Sequence, residues 1–134
     1  MSHHEYILGT RGSALALTQS RIAAETVTSL YTEHQAHHGV ADAEVVDFTL
    51  RTVKTEGDVL TGPLATLGGT GVFAAALRQR LLDGENASEE NRVDMAVHSL
   101  KDLPSAPCPG LVVAATLKRY RRRWYYEKVF RKIN

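Results

Sequence analysis

The sequence predicts an α/β domain in which helices flank a largely parallel sheet. Short β-prone stretches alternate with segments of helical spacing, which is the pattern of strand–helix–strand units. The run at residues 111–115 is apolar throughout, as in parallel strands with both faces covered. The 134 residues suffice for one domain with a core, and 43% hydrophobic against 23% charged residues excludes a wholly disordered chain.

The first elements are a strand, a turn and a helix. Residues 6–8 are β-prone, and the sequence GTRGS at 9–13 marks a turn in which Ser13 can cap a helix. The helix runs from Ala14 to about Tyr31, without Gly or Pro. Its expected core face carries Ala16, Ala23, Val27 and Leu30.

The later elements continue the alternation. Residues 44–53 alternate apolar and polar side chains in period two, which predicts a second strand. Five glycines and a proline between 55 and 71 indicate a loop of the kind that often carries function. A helix over 72–82, ended by Gly84, and a strand over 93–97 follow.

The composition changes abruptly after Leu117. Residues 1–117 carry 8 Lys/Arg against 14 Asp/Glu, whereas residues 118–134 carry 8 against 1 and hold five of the nine aromatic residues. Such a basic tail has no acidic run to neutralise it, so we expect it to lie outside the folded core. Basic and aromatic residues suit nucleic acid, but we expect at most nonspecific binding.

Several classes of protein are excluded or disfavoured. The sequence has no apolar run of membrane-spanning length and no secretory leader pattern at its start, so we expect a cytoplasmic protein. Cys108 alone cannot form an internal disulfide. His34, His37 and His38 lie in a polar stretch that we interpret as a linker, and we expect no metal site.

Two clusters could carry chemistry. In the turn at 9–13, Arg11, Ser13 and free backbone N–H groups at a helix N-terminus could bind an anion, or the turn could simply cap the helix. In the segment 97–104, a predicted strand ends beside His98, Ser99, Lys101 and Asp102. The α/β sheets bind ligands at such carboxyl ends of their strands. The plain alternative is a capped turn with solvated charges. Both readings stay open for each cluster.

Four segments taken together resemble the porphobilinogen deaminase (hydroxymethylbilane synthase) family. They are residues 8–16 (LGTRGSALA), 55–58 (TEGD), 67–73 (LGGTGVF) and 94–104 (DMAVHSLKDLP). They occur in the family's order and spacing, and the last is the most specific. The resemblance covers residues 5–116. It implies that residues 1–117 are part of the family's first domain, with a fold similar to a domain of the type II periplasmic binding proteins.

The resemblance also implies an activity. Enzymes of this family polymerise porphobilinogen, with release of ammonia, into the linear tetrapyrrole hydroxymethylbilane, on the path to heme. In this sequence Asp102 matches the catalytic aspartate. Arg11, Ser13, Ser99 and Lys101 match residues that contact the carboxylates of cofactor and substrate, and Phe73 is placed with the substrate-binding residues. The family is usually monomeric.

The resemblance implies a dipyrromethane cofactor attached to a cysteine of the family's third domain, and we expect that domain to be absent from this chain. Cys108 lies between two prolines, which indicates a rigid loop rather than an attachment site. Thr66 and Thr70 stand where many members have lysines. After Leu117 the chain departs from the family pattern, so we expect a C-terminally incomplete domain, truncated by nature, frame shift or cloning, and inactive by itself. The alternative function is a non-catalytic α/β module that binds a small anionic ligand.

Overall fold

The computed structural model describes residues 2–54, 74–99, 107–117 and 127–132. Within them it has five strands and two α-helices. The strands are β1 (His3–Thr10), β2 (Val45–Thr52), β3 (Met95–Ser99), β4 (Leu111–Thr116) and β5 (Glu127–Lys132). The helices are α1 (Ala14–His37) and α2 (Ala75–Asp83), and α2 continues into a 3-10 turn at Gly84–Asn86.

The strands form one sheet in the order β2-β1-β3-β5-β4. β1 pairs in parallel with both β2 and β3, which confirms the α/β class and its parallel core. β5 pairs antiparallel with β3 on one side and with β4 on the other. No helix in the described part of the chain is long and apolar enough to cross a membrane.

Each helix covers one face of the sheet. Ile7 of β1 and Ala96 of β3 belong to a buried cluster with Leu77 and Leu81 of α2. Their neighbours in sequence, Leu8 and Val97, pack instead with Ala23 of α1. Because successive side chains of a strand point to opposite faces, α2 lies on one face and α1 on the other. This alternation decides which helix each later residue of β1 and β3 faces.

Helix α1 is longer than the sequence predicts. It continues through His34 to His37, so the interpretation of these histidines as part of a linker is wrong. The side chain of Gln35 explains the extension. Its amide nitrogen donates to the carbonyl oxygen of Glu44 at 2.9 Å, and its amide oxygen accepts from the Glu44 backbone N–H at 2.6 Å. These bonds tie the last turn of α1 to the start of β2.

The core face of α1 also differs from the prediction. Ala23 is buried as expected, but Leu30 is 58% exposed, and the other buried residues of the helix are polar: Gln19, Ser20 and Gln35. Each of these three side chains hydrogen bonds to a group outside the helix. Buried polar side chains are stable where such bonds are made, and hydrophobic spacing alone does not detect them.

The position of β4 corrects a second expectation. Its apolar run was expected to be covered on both faces, but β4 is the outermost strand of the described sheet. Val112 and Val113 are 41% and 40% exposed. β4 has the same direction as β3, because both strands are antiparallel to β5.

The tail is described only at residues 127–132. We expected residues 118–134 to lie outside the core, and within this stretch Glu127–Lys132 forms β5, the strand that joins β3 to β4. The backbone supplies the reason. β3 and β4 do not pair with each other, and an antiparallel strand between them satisfies the backbone N–H and C=O groups along both facing edges.

Candidate functional site

The carboxyl ends of β1 and β3 lie side by side and carry most of the described motif residues. β1 ends at Thr10, immediately before Arg11, and β3 ends at Ser99. The pairing of Gly9 with Ala96 sets the two strands in register just below these ends. The N-terminus of α1 begins at the same edge, because only the short turn at 11–13 separates β1 from the helix.

The turn after β1 is held by close packing and by a helix cap. A Cβ on Gly9 would lie 2.7 Å from Cγ1 of Val93 and 2.9 Å from Cδ2 of Leu77, so only glycine fits there without displacement. Ser13 is the N-cap of α1, and its Oγ accepts from the backbone N–H of Ala16 at 3.2 Å. The capping role of Ser13, one of the two sequence readings, is confirmed.

On the α1 face the strand ends carry neutral polar groups. Thr10 is fully buried, and its Oγ1 accepts from Ser20 Oγ at 2.8 Å. Ser99 Oγ donates to Gln19 Oε1 at 3.1 Å, and both residues are buried. The amide nitrogen of Gln19 is buried without a hydrogen-bond partner. This layer therefore offers a neutral donor at the strand ends.

On the α2 face the same edge is cationic. His98 is 3% exposed, and burial first, then the charges of Arg78 and Arg11, lowers its pKa from 6.5 to about 4. Both arginines therefore lie close enough to His98 to act on it electrostatically. At neutral pH the buried imidazole of His98 is therefore uncharged.

The depressed pKa of His98 predicts a loss of stability in mild acid. The unfolded chain takes up a proton near pH 6.5 and the folded chain only near pH 4, so the unfolded state binds more protons between these values. The free energy of unfolding should fall by about 3 kcal/mol as the pH is lowered through this window, and change little above it. Denaturant unfolding measured from pH 7.5 to 4 tests this expectation.

A matched pair of variants isolates the contribution of His98. His98→Gln should remove most of the pH dependence between 6.5 and 4. His37→Gln, which changes an exposed histidine at the end of α1, should retain it. An unchanged slope in His98→Gln would show that other groups cause the acid sensitivity.

Three of the six site residues that the sequence predicts are among the described residues. Arg11, Ser13 and Ser99 each lie at or just after the carboxyl end of β1 or β3. Lys101 and Asp102, which follow Ser99 by two and three positions, lie outside the described residues. Phe73, Thr66 and Thr70 lie outside them too, so their roles stay predictions.

Sequence reasoning missed Gln19 and Arg78. Both contribute to this edge only through partners distant in the chain, since Gln19 bonds a residue 80 positions away and Arg78 acts on His98. One signal was present. Gln19 lies four residues before the buried Ala23, so the two residues share one face of α1. A polar side chain on a core-facing part of a helix requires a hydrogen-bond partner.

Other clusters carry less chemistry. The rings of His34 and His38 are tilted by 35° with centroids 4.1 Å apart, but no group of three or more potential ligands among the described residues could hold a metal ion. Ser99 faces α1 and His98 faces α2, so these neighbours do not form a nucleophile and base pair. Cys108 is half-buried, and its Sγ lies 3.9 Å from the carbonyl oxygen of Pro109.

The fold and the residues at the carboxyl ends of β1 and β3 define the class of this protein. It is an α/β domain with cationic and neutral hydrogen-bonding side chains at the ends of its parallel strands. Comparison with known proteins identifies the family. The model of the porphobilinogen deaminase, dipyromethane cofactor binding domain, matches residues 6–125. The chain therefore belongs to the porphobilinogen deaminase family.

Individual relatives agree with this assignment. The chain is 51% identical over 112 residues to the porphobilinogen deaminase of Micrococcus luteus, and 46% identical over 112 residues to that of Leifsonia xyli. It is 44% identical over 114 residues to a probable porphobilinogen deaminase of Methanococcoides burtonii. Each match covers 84% of this chain but only 24%, 28% and 30% of the respective relative.

The family match runs past Leu117, where the sequence pattern indicates the end of the resemblance. The match ends at residue 125, and β5 begins two residues later at Glu127. A division into a family domain at 1–117 and a separate tail at 118–134 thus stays a prediction.

Proposed function

We propose that this chain is the first-domain part of a hydroxymethylbilane synthase, in which it supplies one wall of the site that polymerises porphobilinogen with release of ammonia. The observation that supports the proposal is that β1 and β3 are neighbours in the sheet and that the motif residues Arg11, Ser13 and Ser99 follow or end these strands. Family membership supports the same activity. The substrate class is a pyrrole that bears carboxylate side chains.

The charges at this edge suit such a substrate. The guanidinium group of Arg11 can bind a carboxylate through two parallel hydrogen bonds, and the backbone N–H groups at the N-terminus of α1 favour negative charge. Ser13 adds a hydroxyl donor, because its Oγ acts as the acceptor in the helix cap. The hydroxyl of Ser99 would have to turn from Gln19 Oε1 to donate to a carboxylate. Lys101 would add a second positive charge. We assign cofactor and substrate carboxylates to these residues, and a substrate contact to Phe73.

The reacting centre needs the opposite charge. Loss of ammonia from porphobilinogen leaves a cationic azafulvenium, and a fixed carboxylate beside it lowers the barrier electrostatically. We assign this role to Asp102, three residues after the end of β3. In this arrangement the positive side chains would bind the carboxylates of the ligand, and Asp102 would lie beside its cationic reacting carbon.

The residues at this edge also fit a dipyrromethane cofactor, whose side chains are carboxylates. The buried amide donor of Gln19 and the cationic α2 face are the kinds of partner that such groups require. When bound, this cofactor primes the reaction by providing the pyrrole to which substrate is joined. We propose that its attachment cysteine lies in another part of the full-length enzyme and that Cys108 is not involved.

Two broader assignments accompany this function. We propose a domain similar to those of type II periplasmic binding proteins, since ligand groups at the ends of parallel strands suit a cleft between two domains. We also propose that the enzyme acts in the cytoplasm. The competing function is a module that binds a small anion without turnover. It would account for the anion-binding residues but not for Asp102.

A chimera tests the proposed function. Residues 5–116 replace the matching part of the Micrococcus luteus relative, which is 51% identical to this chain, so that the remainder of a complete enzyme is supplied. We expect the purified chimera to consume porphobilinogen and release ammonia, at a rate within about tenfold of the unmodified relative. A folded chimera that binds porphobilinogen without turnover would support the binding module instead.

A further inference from the structure

The C-terminal end of α1 carries three histidines: His34 and His37 in the last turn and His38 as the C-cap. We expected no metal site here while these residues were interpreted as part of a linker, but on a helix their spacing has a different consequence. Side chains four residues apart lie one above the other on the same helix face. His34 and His38 are therefore neighbours, with ring centroids 4.1 Å apart.

A hydrogen bond to the backbone determines which nitrogen of His38 is free. Its Nδ1 lies 2.8 Å from the carbonyl oxygen of His34. A carbonyl oxygen can only accept, so Nδ1 carries the hydrogen and Nε2 of the neutral ring keeps its lone pair. Metal-binding histidines usually show this arrangement, in which one ring nitrogen donates to a carbonyl or carboxylate and the other binds the metal. His38 thus presents Nε2 as a ligand.

The surroundings of this pair also favour a cation. Both side chains are exposed, so an ion can reach them without displacing packed residues. The C-terminal end of a helix carries partial negative charge from its last carbonyl groups, which attracts positive ions. Two imidazoles that share one metal at about 2.0–2.1 Å have ring centroids about 5 Å apart. The observed separation of 4.1 Å therefore needs only a small rotation of two exposed side chains.

We propose that His34 and His38 form a two-ligand site for a divalent transition-metal ion, with water in the remaining coordination positions. Imidazole nitrogen suits Cu²⁺, Ni²⁺ and Zn²⁺, and the general order of affinities places Cu²⁺ first. His37 is outside this site, because no group of three potential ligands among the described residues could hold a metal ion. The bound ion would link two successive turns at the end of α1, which Gln35 ties to β2 through Glu44.

The site lies apart from the edge where ligand carboxylates are proposed to bind. α1 spans 24 residues, so at about 1.5 Å per residue its two ends are about 36 Å apart. Two ligands four residues apart meet at one ion only where the chain is helical, so the ion binds the folded state more tightly than the unfolded state. Metal binding should therefore stabilise the domain without porphobilinogen, whether or not the proposed function holds.

The test uses the 134-residue chain without an affinity tag, titrated calorimetrically with CuCl₂. His34→Gln and His38→Gln should each weaken binding of Cu²⁺ at least about tenfold, since even loss of a residue that only orients a metal ligand costs about 10–100-fold. His37→Gln is the matched control, an exposed histidine in the same turn, and its affinity should stay within about twofold of the parent chain. Equal affinities of all four proteins would show adventitious binding to single imidazoles and overturn the proposal. A loss in His37→Gln as large as in the other variants would also contradict it.

A second measurement uses the parent chain alone, so it does not depend on how the variants fold. Long-range ¹H–¹⁵N spectra of the imidazole rings are recorded while ZnCl₂ is added. The ring signals of His34 and His38 should shift in parallel, whereas those of His98, which is 3% exposed, should not shift. No shift, a shift of only one of the pair, or equal shifts of all histidines would contradict a shared site.

Discussion

Removal of residues 118–134 is expected to abolish cooperative unfolding of this domain. β5 pairs with β3 from Glu127 to Arg131 and with β4 from Lys128 to Lys132. Without it, β4 has no partner strand in the described sheet and β3 becomes an edge. Two ladders of backbone hydrogen bonds at about 1 kcal/mol each bond would be lost, against a total stability of about 5–15 kcal/mol for typical domains.

Circular dichroism and gel filtration measure this effect. The chain that ends at Leu117 should show a broad thermal transition and aggregate, because an uncovered sheet edge favours association. A chain that ends at Lys132 retains all of β5 and is the matched control, and it should unfold as the full chain does. A sharp transition of the 117-residue chain, within a few degrees of the control, would show that β5 contributes little.

Proteolysis gives an independent reading of the same strand. Residues 128, 131 and 132 are sites for trypsin, yet their backbone is paired in the sheet. Cleavage after them should therefore be slow until the domain unfolds, since proteases act on locally opened backbone.

The second large effect concerns Asp102. In the chimera described above, Asp102→Asn should lower turnover by at least about 10²–10³-fold, because the amide removes the negative charge that stabilises the cation while keeping the shape of the side chain. The fold should be unchanged. Steady-state release of ammonia measures the rate, and the thermal transition of the variant checks the fold.

Asp83→Asn is the matched control for this variant. Asp83 lies at the end of α2, where its carboxylate accepts a hydrogen bond from Gln79 at 2.9 Å, away from the strand ends that carry the site. Its substitution should leave turnover within about twofold of the chimera. A full rate in Asp102→Asn would exclude this carboxylate from catalysis.

The elements that the sequence predicts correctly are those whose determinants are local. Ser13 caps α1 and Gly84 ends α2 because capping geometry is set within one turn of helix. The alternation of Val46, Phe48 and Leu50 is seen as a half-buried face of β2, since period two follows from the strand itself.

The features that the sequence did not predict depend on distant partners. The extension of α1 to His37 depends on the bonds between Gln35 and Glu44, and the burial of Gln19 depends on Ser99, 80 residues away. β5 was obscured because charge dominates the composition of its segment, whereas its place in the sheet is decided by the free backbone edges of β3 and β4. The sequence singles out Arg11, Ser13 and Ser99 because each stands in a motif with its neighbours, and their roles in binding stay predictions.

The insertion of β5 between β3 and β4 has a consequence for synthesis on the ribosome. β1, α1 and β2 can pair as soon as Thr52 has emerged, whereas β4 has no partner among the described strands until residues 127–132 follow. At the usual rates of translation this interval is about 1–3 seconds. During that time the apolar residues Val112 and Val113 of β4 lie on an unpaired strand, which makes the nascent chain a natural client of chaperones that bind short extended apolar segments.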